Sequence, residues 1–325
     1  MKKLVMTQSV CQEGLDLLKG KAEVYVANNT DPINYIDEMK DADGIIVRIG
    51  KIDRKVIEQC PNLKVIGRTG VGYDSVDVKA ATEYGIPVVI TPGANTHSVA
   101  EHTLALIMAL SKNIVETHNE TRKGNFTSAR GGNKIFEVAG KKVGIIGFGN
   151  IGKDTAKLCS AIGMKVSAYD PIVPKKIIEE AGYEYYSDYK KLLIDADIIS
   201  LHVPLLPSTK NMITLDEIKT MKKTAILINC SRGGLIKEED LVYALNNNII
   251  AGAATDVFEV EPPKESDPLL SAKNLIYTPH TAAQTREAVI KMATMCVEGC
   301  LKTMNGEKID NVVNKEAYNH PRWRK

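Results

Sequence analysis

The sequence lacks the cysteine spacing of a zinc site. Its six cysteines, at positions 11, 60, 159, 230, 296 and 300, form no CxxC pair and do not group with histidine. Because metal ligands usually come in such groups, we predict no metal site. Cys296 and Cys300 lie one helical turn apart, and we expect free thiols there, since disulfides are rare in the cytosol.

Long apolar runs and blocks of basic residues are also missing. No apolar stretch approaches the roughly 20 residues of a membrane span, and the first residues, MKKLVMTQSVCQEG, match a signal peptide poorly. We therefore expect a cytoplasmic protein that does not bind membranes. The net charge of +2, from 42 basic and 40 acidic residues, gives no electrostatic footprint for nucleic acid.

The sequence does contain short strand-like runs that alternate with helix-length segments, a pattern typical of parallel βα units. A length of 325 residues favours two domains. The first strands read KLVMT, AEVYV, GIIV, LKVIGR and PVVI, and those after Lys141 read KKVGIIG, KVSAYD, DIISLH, AILINC, IIAGAATD and NLIYTPH. We therefore predict an α/β fold with two sheets.

Two long helical patterns flank the second series of strands. The first runs from Ser98 to Gly124, and Ser98 with Glu101 is typical of a capping box. The second runs from Ala282 to Met304 and is followed by NGEKIDNVVN, which resembles a strand. We expect this last segment to return to the first sheet, which makes the first domain discontinuous.

A glycine motif, GIIGFGNIG, follows the first strand of the second series. Gly147, Gly149 and Gly152 suit a tight turn, close approach of a pyrophosphate and close packing of helix on strand. Asp170 ends the next strand, where a carboxylate binds an unmodified ribose and repels a 2′-phosphate. The motif therefore predicts a dinucleotide site for NAD in preference to NADP.

Polar residues follow four later strands of the same series: His202, Arg232, Asp256 and His280. In open α/β sheets, ligands sit outside the carboxyl ends of the strands, so these side chains should face one crevice. Each position also suits turn chemistry.

A protonated histidine near neutral pH needs a carboxylate beside it. The segment DVFEVEPPKESD offers Glu259, Glu261 and Glu265. Glu261 precedes two prolines, which favours a fixed carboxylate over a solvated one.

Together these segments make the sequence similar to the D-isomer-specific 2-hydroxy acid dehydrogenases over nearly its whole length. The matching motifs are RTGVGYDSVD, SVAEHTLALIMA, GKKVGIIGFGNIG, AYDP, LHVPLLPSTKNMI, INCSRGGLI, AATDVFEVEPP and TPHTAAQT. The resemblance implies two Rossmann-like doubly wound parallel-sheet domains with a cleft between them. The implied boundaries are 1–97 with 287–325 for a flavodoxin-like substrate domain, and 98–286 for an inserted dinucleotide-binding domain.

The resemblance also implies an NAD-dependent oxidoreductase that moves a hydride between nicotinamide and a small 2-oxo or D-2-hydroxy acid. Arg232 would bind the substrate carboxylate and polarise its carbonyl group. His280 would give a proton to the carbonyl oxygen, and Glu261 would raise the proton affinity of that histidine.

Further residues take roles from the same resemblance. The expected cofactor contacts are Gly147, Gly149, Asn150, Ile151 and Gly152 at the pyrophosphate, Asp170 at the ribose, Asp256 at the carboxamide, and His202, Val203, Pro204 and Cys230 nearby. The expected substrate contacts are Val71, Gly72, Asn95, His97 and Arg232, with Arg48 and Lys51 where cations would meet a substrate phosphate.

The substrate stays open between several small 2-oxo acids. VRIGKIDRKVI resembles a stretch of the 3-phosphoglycerate dehydrogenases, which favours phosphoglycerate, but PHTAAQT departs from their usual PHLGAST-like form. Hydroxypyruvate, glyoxylate or another small 2-oxo acid are the alternatives. From the length we expect no regulatory domain of the kind that some longer relatives carry. His97 either lines the pocket or caps a helix.

The resemblance favours a homodimer, as does the apolar helix around His102 to Leu110, although burial within one subunit would give the same pattern. A corepressor that senses NAD(H) is the alternative of a different class, because such relatives keep this fold and the catalytic residues.

Overall fold

In the computed structural model, which describes residues 1–29, 31–130 and 135–324, the chain forms two units. One consists of Met1–Asn95 with Gln284–Lys325, and the other of Thr96–Ala283. Each unit is built on its own sheet, and every pairing between the named strands is parallel. The predicted fold class of two parallel-sheet α/β domains is thereby confirmed.

The strands are β1 (Lys2–Met6), β2 (Ala22–Val26), β3 (Gly44–Val47), β4 (Val65–Arg68), β5 (Val88–Val89), β6 (Lys142–Ile146), β7 (Lys165–Tyr169), β8 (Glu184–Tyr185), β9 (Ile198–Leu201), β10 (Ile226–Asn229), β11 (Gly252–Thr255) and β12 (Leu275–Tyr277). The helices are α1 (Gln12–Asp16), α2 (Ile36–Met39), α3 (Arg54–Glu58), α4 (Val78–Glu83), α5 (Thr96–Ser111), α6 (Ile114–Arg122), α7 (Phe126–Ala129), α8 (Asn150–Ala161), α9 (Lys175–Glu180), α10 (Tyr189–Asp195), α11 (Leu215–Thr220), α12 (Glu238–Asn246) and α13 (Arg286–Met304). Short 3₁₀ helices span Pro32–Tyr35, Pro268–Ser271, Lys315–Asn319 and Pro321–Trp323.

The sheet of the first unit has five strands in the order β2-β1-β3-β4-β5. The order reverses between β1 and β3, as in flavodoxin-like sheets, and this reversal marks where such sheets bind ligands. The last three residues of β1 and all four residues of β3 are apolar and buried, as expected where helices cover both faces of a parallel sheet.

Helix α13 supplies much of the core on one face of this sheet. Thr285 caps its first turn, with Oγ1 accepting a hydrogen bond from Ala288 N at 3.2 Å. Cys296 and Cys300 are fully buried, and all six cysteines of the chain carry free thiols, as predicted. Both sulfurs press on β4 at Gly67, where a Cβ would lie 2.7 Å from Cys296 Sγ and closer still to Cys300 Sγ. The helix approaches the strand this closely because residue 67 has no side chain.

The sheet of the second unit has seven strands in the order β12-β11-β10-β9-β6-β7-β8. Here the order reverses between β6 and β9, as in dinucleotide-binding sheets. Strand β8 is the one strand of this sheet that the sequence patterns do not predict, because Glu184 and Tyr185 form only a two-residue edge. Helices α5 and α8 pack against each other on this unit.

The helix predicted from Ser98 to Gly124 is wrong in extent and in its cap. It is two helices, α5 and α6, separated at Asn113, whose φ of 51° is left-handed. Asparagine accepts this conformation better than most residues, and it ends a helix. Ser98 lies inside α5, where its buried hydroxyl donates to the carbonyl oxygen of Ala282 at 2.5 Å.

The segment predicted as a last strand, NGEKIDNVVN, returns to the first sheet through a single antiparallel bridge between Val312 and Val89. Val313 N donates to Val88 O at 2.9 Å, and Ile90 N donates to Asn311 O at 2.9 Å. The helix before this segment begins at Arg286, four residues later than the pattern indicates.

Among the described residues, none of the helices is both long enough and apolar enough to span a lipid bilayer.

Replacing Gly67 with Ala should lower the free energy of unfolding by about 1–3 kcal/mol, because the added methyl group overpacks the contact with two sulfurs. Chemical denaturation measures the change. The double variant Gly67→Ala, Cys300→Ala should recover part of the loss, since it removes the nearer sulfur. A double variant less stable than the sum of the two single changes would contradict this packing account.

Candidate active site

The glycine loop between β6 and α8 is shaped by backbone contacts that exclude side chains. Gly147 has a φ of 98°, and a Cβ on it would overlap the carbonyl oxygen of His202. A Cβ on Gly152 would overlap the carbonyl oxygen of Gly147. Gly149 differs, because nothing lies within 4 Å of the position its Cβ would take. Gly147 and Gly152 therefore allow close packing of the backbone, whereas Gly149 leaves open space beside the loop.

That open space lies at the N-terminus of α8. Gly149 is the N-cap and has no side-chain acceptor, so the amides of Asn150, Ile151 and Gly152 donate no hydrogen bond to a capping side chain there. A 12-residue helix with such amides presents hydrogen-bond donors and the positive end of its dipole. This arrangement fits the pyrophosphate of a dinucleotide.

Asp170 stands at the end of β7 and binds the same loop. Its Oδ2 accepts from Phe148 N at 2.7 Å, and its Oδ1 accepts from Ile172 N at 2.8 Å and Val173 N at 2.9 Å. These bonds fix the carboxylate beside the turn, where it can accept further bonds from ribose hydroxyls.

His202, after β9, lies across the switch point from the glycine loop. Burial lowers its pKa to about 4, so the imidazole is neutral at physiological pH. One nitrogen, Nε2, lies 2.8 Å from Ser200 Oγ, while Nδ1 has no hydrogen-bond partner within the described part of the chain. Val203 is buried against Gly147, whereas Pro204 is exposed. The backbone of His202 thus shapes the loop directly.

Asp256, after β11, is a buried anchor. Its carboxylate accepts from Thr281 N and Ala282 N, each at 2.8 Å, and from the hydroxyl of Thr278 at 2.5 Å. The side chain is 1% exposed, so the carboxylate is enclosed by these donors and not by solvent. The structure therefore gives Asp256 the role of holding the loop after β12, a role that the sequence does not indicate.

That loop carries His280, whose φ of 54° is unusual for a residue with a side chain. Such conformations cost about 1–3 kcal/mol and persist where the surroundings enforce them. Here the amides of the next two residues, Thr281 and Ala282, donate to the Asp256 carboxylate and fix the backbone. The imidazole is thereby directed by the fold and not by local preference.

Of the three candidate acids, Glu261 is the one that meets His280. Its Oε2 lies 2.7 Å from His280 Nδ1, and its Oε1 accepts from Phe258 N at 3.1 Å. Burial raises the pKa of Glu261, but the hydrogen bond from His280, the bond from Phe258 N and the charge of Arg232 outweigh it, so the pKa is lowered overall. The carboxylate stays ionised. Glu259 and Glu265 are exposed.

Arg232 stands in the turn after β10 and is half-buried. Its Nη1 donates to the carbonyl oxygen of Ser231 at 2.7 Å, and its own carbonyl oxygen accepts from Asn229 Nδ2 at 2.8 Å. A Cβ on Gly233 would overlap the carbonyl oxygen of Phe258. The glycine therefore lets the arginine turn press against the segment that leads to Glu261.

Two predicted residues of this unit have other surroundings. Cys230 is buried in the core, and burial raises the pKa of its thiol to about 12. His97 lies in α5, within the Thr96–Ala283 unit, and is 65% exposed. Its Nδ1 lies 2.8 Å from Asp154 and its Nε2 lies 3.1 Å from Glu101. The interactions given to His97 are thus with two carboxylates.

The remaining predicted residues belong to the first unit. Val71 and Lys51 are exposed, Gly72 is half-buried, and Asn95 Oδ1 is buried without a hydrogen-bond partner among the described residues. Arg48 follows β3, and its Nη2 donates to Gln284 Oε1 at 2.9 Å. Gln284, which is not among the predicted site residues, lies in the segment PHTAAQT. The departure of this segment from the phosphoglycerate dehydrogenase pattern is the sequence signal that could have pointed to this residue.

Residues 104–282 match the model of the family described as D-isomer specific 2-hydroxyacid dehydrogenase, NAD binding domain. The chain is 44% identical to a D-3-phosphoglycerate dehydrogenase of Methanocaldococcus jannaschii over 97% of its own length and 60% of that protein. It is 36% identical to a glyoxylate reductase of Aeropyrum pernix, over 97% of this chain and 96% of the relative.

A crystal structure of an NADPH-dependent glyoxylate/hydroxypyruvate reductase from Sinorhizobium meliloti, in complex with citrate, superposes with a TM-score of 0.86. The two chains are 26% identical, with 97% of this chain and 99% of that chain covered. The chain spans about three-fifths of the length of several curated phosphoglycerate dehydrogenases that it matches. The match to an NAD-binding domain agrees with the predicted cofactor.

Replacing Gly149 with Ala should weaken NADH binding about tenfold or more while leaving stability unchanged, because the methyl group enters open space beside the α8 amides. Fluorescence titration with NADH and thermal unfolding measure the two effects. The matched variant Gly152→Ala should be destabilised in the absence of NADH, because its methyl group meets backbone. Equal stability losses in both variants would contradict this division of roles.

Proposed function

The chain belongs to the D-isomer specific 2-hydroxyacid dehydrogenase family, and we propose that it is an NAD-dependent enzyme interconverting a small 2-oxo acid and its D-2-hydroxy acid. The observation that carries this proposal is the contact of Glu261 with His280 at 2.7 Å, with the charge of Arg232 acting on the same carboxylate. These residues follow β10, β11 and β12 of one sheet, whose glycine loop follows β6.

Arg232 binds the substrate in this proposal. Its guanidinium offers a planar fork of donors that matches a carboxylate, and its permanent charge polarises the adjacent carbonyl group. Gly233, the residue after it, allows the turn to approach the backbone of Phe258 closely. The arginine therefore holds the 2-oxo acid by the part that all such substrates share.

His280 moves the proton. As the carbonyl carbon gains a hydride, its oxygen becomes basic and takes a proton from the imidazolium. The ionised Glu261 stabilises that imidazolium through Nδ1, which leaves Nε2 as the nitrogen that serves the substrate. In the direction of oxidation, the same imidazole accepts the proton from the hydroxyl group.

NAD supplies or receives the hydride when it is bound. The amides at the start of α8 would hold its pyrophosphate, and Asp170 would accept bonds from the ribose hydroxyls. The carboxylate of Asp256 is enclosed by hydrogen-bond donors of the protein itself. Asp256 would therefore act indirectly, by holding the loop after β12.

Among possible substrates, we favour the pair of 3-phosphoglycerate and phosphohydroxypyruvate. The name of the 44% identical relative supports this choice, as do Arg48 and Lys51, two cations after β3 suited to a phosphate. Hydroxypyruvate and glyoxylate are the alternatives, and the name of the glyoxylate reductase relative supports the latter.

The active form in this proposal is a homodimer, but the support differs from that expected. The helix around His102 to Leu110 contributes Leu106 and Ile107 to the core of its own unit, so it does not require a partner. By contrast, α6 buries none of its residues in the chain. Ile114 and Val115 of α6 and Phe126 of α7 are about half exposed, and they offer an apolar surface that a second copy would cover.

A substrate panel tests the reaction and its specificity. NADH oxidation should be fastest with phosphohydroxypyruvate among phosphohydroxypyruvate, hydroxypyruvate, glyoxylate and pyruvate. Arg48→Ala and Lys51→Ala should each lower kcat/KM for phosphohydroxypyruvate by about 10- to 100-fold, the worth of a bond between charged groups. Activity on hydroxypyruvate should stay unchanged. Equal loss on both acids would refute a phosphate contact at these residues.

Replacing Arg232 with Ala should lower kcat/KM for every 2-oxo acid by about 100- to 1000-fold, because a preorganised charge in the site is lost. NADH affinity should be largely kept, and Arg54→Ala, which removes a half-buried arginine from α3, is the matched control. Full turnover by Arg232→Ala would refute the assigned role. Tight NADH binding by the wild-type chain with no turnover of any acid would instead favour the NAD(H)-sensing corepressor.

A further inference from the structure

Arg48 stands at the switch point of the first sheet. It directly follows β3, and its backbone N–H donates to Thr7 Oγ1, just after β1, at 3.2 Å. Thr7 is fully buried, and Thr69 N donates to Val47 O at 3.3 Å from the turn after β4. The backbone of Arg48 is therefore fixed where flavodoxin-like sheets bind ligands.

The guanidinium group of Arg48 is held by a different part of the same unit. Arg48 Nη2 donates to Gln284 Oε1 at 2.9 Å, although the two residues are 236 positions apart in the sequence. Gln284 immediately precedes Thr285, the residue that caps α13. The amide therefore projects from an anchored helix start, and it gives a long, exposed arginine one preferred direction.

The choice of a glutamine has a chemical consequence. A neutral amide oxygen occupies one of the five guanidinium N–H groups and leaves the positive charge in place. A carboxylate at this position would bond the same nitrogen but would cancel the charge. An arginine held in this way keeps both its charge and its remaining donors for an anion.

We propose that Gln284 is a specificity-determining residue, which positions Arg48 to bind a phosphate or other anionic group on the third carbon of the substrate. This inference rests on the proposed function and deepens it. Gln284 acts through Arg48 and not on the reacting carbon. Its removal should therefore change the preference between substrates and not the reaction that they share.

The experiment measures kcat/KM for phosphohydroxypyruvate and for hydroxypyruvate. Gln284→Ala should lower the ratio of the two constants by about threefold to tenfold, the worth of one hydrogen bond. Gln284→Glu should lower it by about tenfold or more, because its carboxylate neutralises Arg48 and repels the phosphate. Gln59→Ala, which removes an exposed glutamine from the end of α3, should leave the ratio unchanged.

A double-mutant cycle separates positioning from a general effect. In the Arg48→Ala background, Gln284→Ala should have no further effect on the ratio, because its target is gone. Additive effects of the two changes, or equal losses on both substrates, would overturn the proposal. The proposal would also be overturned if Arg48→Ala left the ratio of the two kcat/KM values unchanged in an enzyme that reduces hydroxypyruvate well. A wild-type chain that reduces neither acid would refute the proposed function itself.

Discussion

Close approach of backbone to backbone is the constraint on which the candidate site depends. At Gly147 and Gly233, the position of an absent Cβ is filled by a carbonyl oxygen from another segment, and at Gly152 it is filled by the carbonyl oxygen of Gly147 in the same loop. These contacts bring the glycine loop, the segment after β9 and the arginine turn to their places at the carboxyl edge of one sheet. No side-chain contact could replace them, because the space is already taken by main chain.

A second level of order comes from one buried carboxylate. Asp256 accepts bonds from consecutive amides of the loop after β12, and this loop holds His280 in a left-handed conformation. An imidazole so fixed has little freedom to leave Glu261. The histidine and its acid thus form a preorganised pair, and the cost of the backbone conformation is met by hydrogen bonds already present in the fold.

Much of this arrangement can be predicted from the sequence. The features that cannot be predicted share identifiable physical reasons. Strand positions and the glycine motif are predictable because apolar runs and positive-φ turns are encoded locally. The break at Asn113 and the short strand β8 are not, because a single asparagine and a two-residue edge strand are weak local signals. The enclosure of Asp256 and the bond from Arg48 to Gln284 join distant segments. A one-dimensional pattern does not contain such distances.

The three hydrogen bonds of Asp170 link coenzyme choice to the architecture of the loop. The carboxylate that would select an unmodified ribose also ties down Phe148 N in the glycine turn. A substitution at this position that accommodated a 2′-phosphate would therefore remove a hydrogen bond that fixes the glycine turn. Evolution or engineering toward the phosphorylated coenzyme would need a compensating change elsewhere in the turn, and the two traits would have to be altered together.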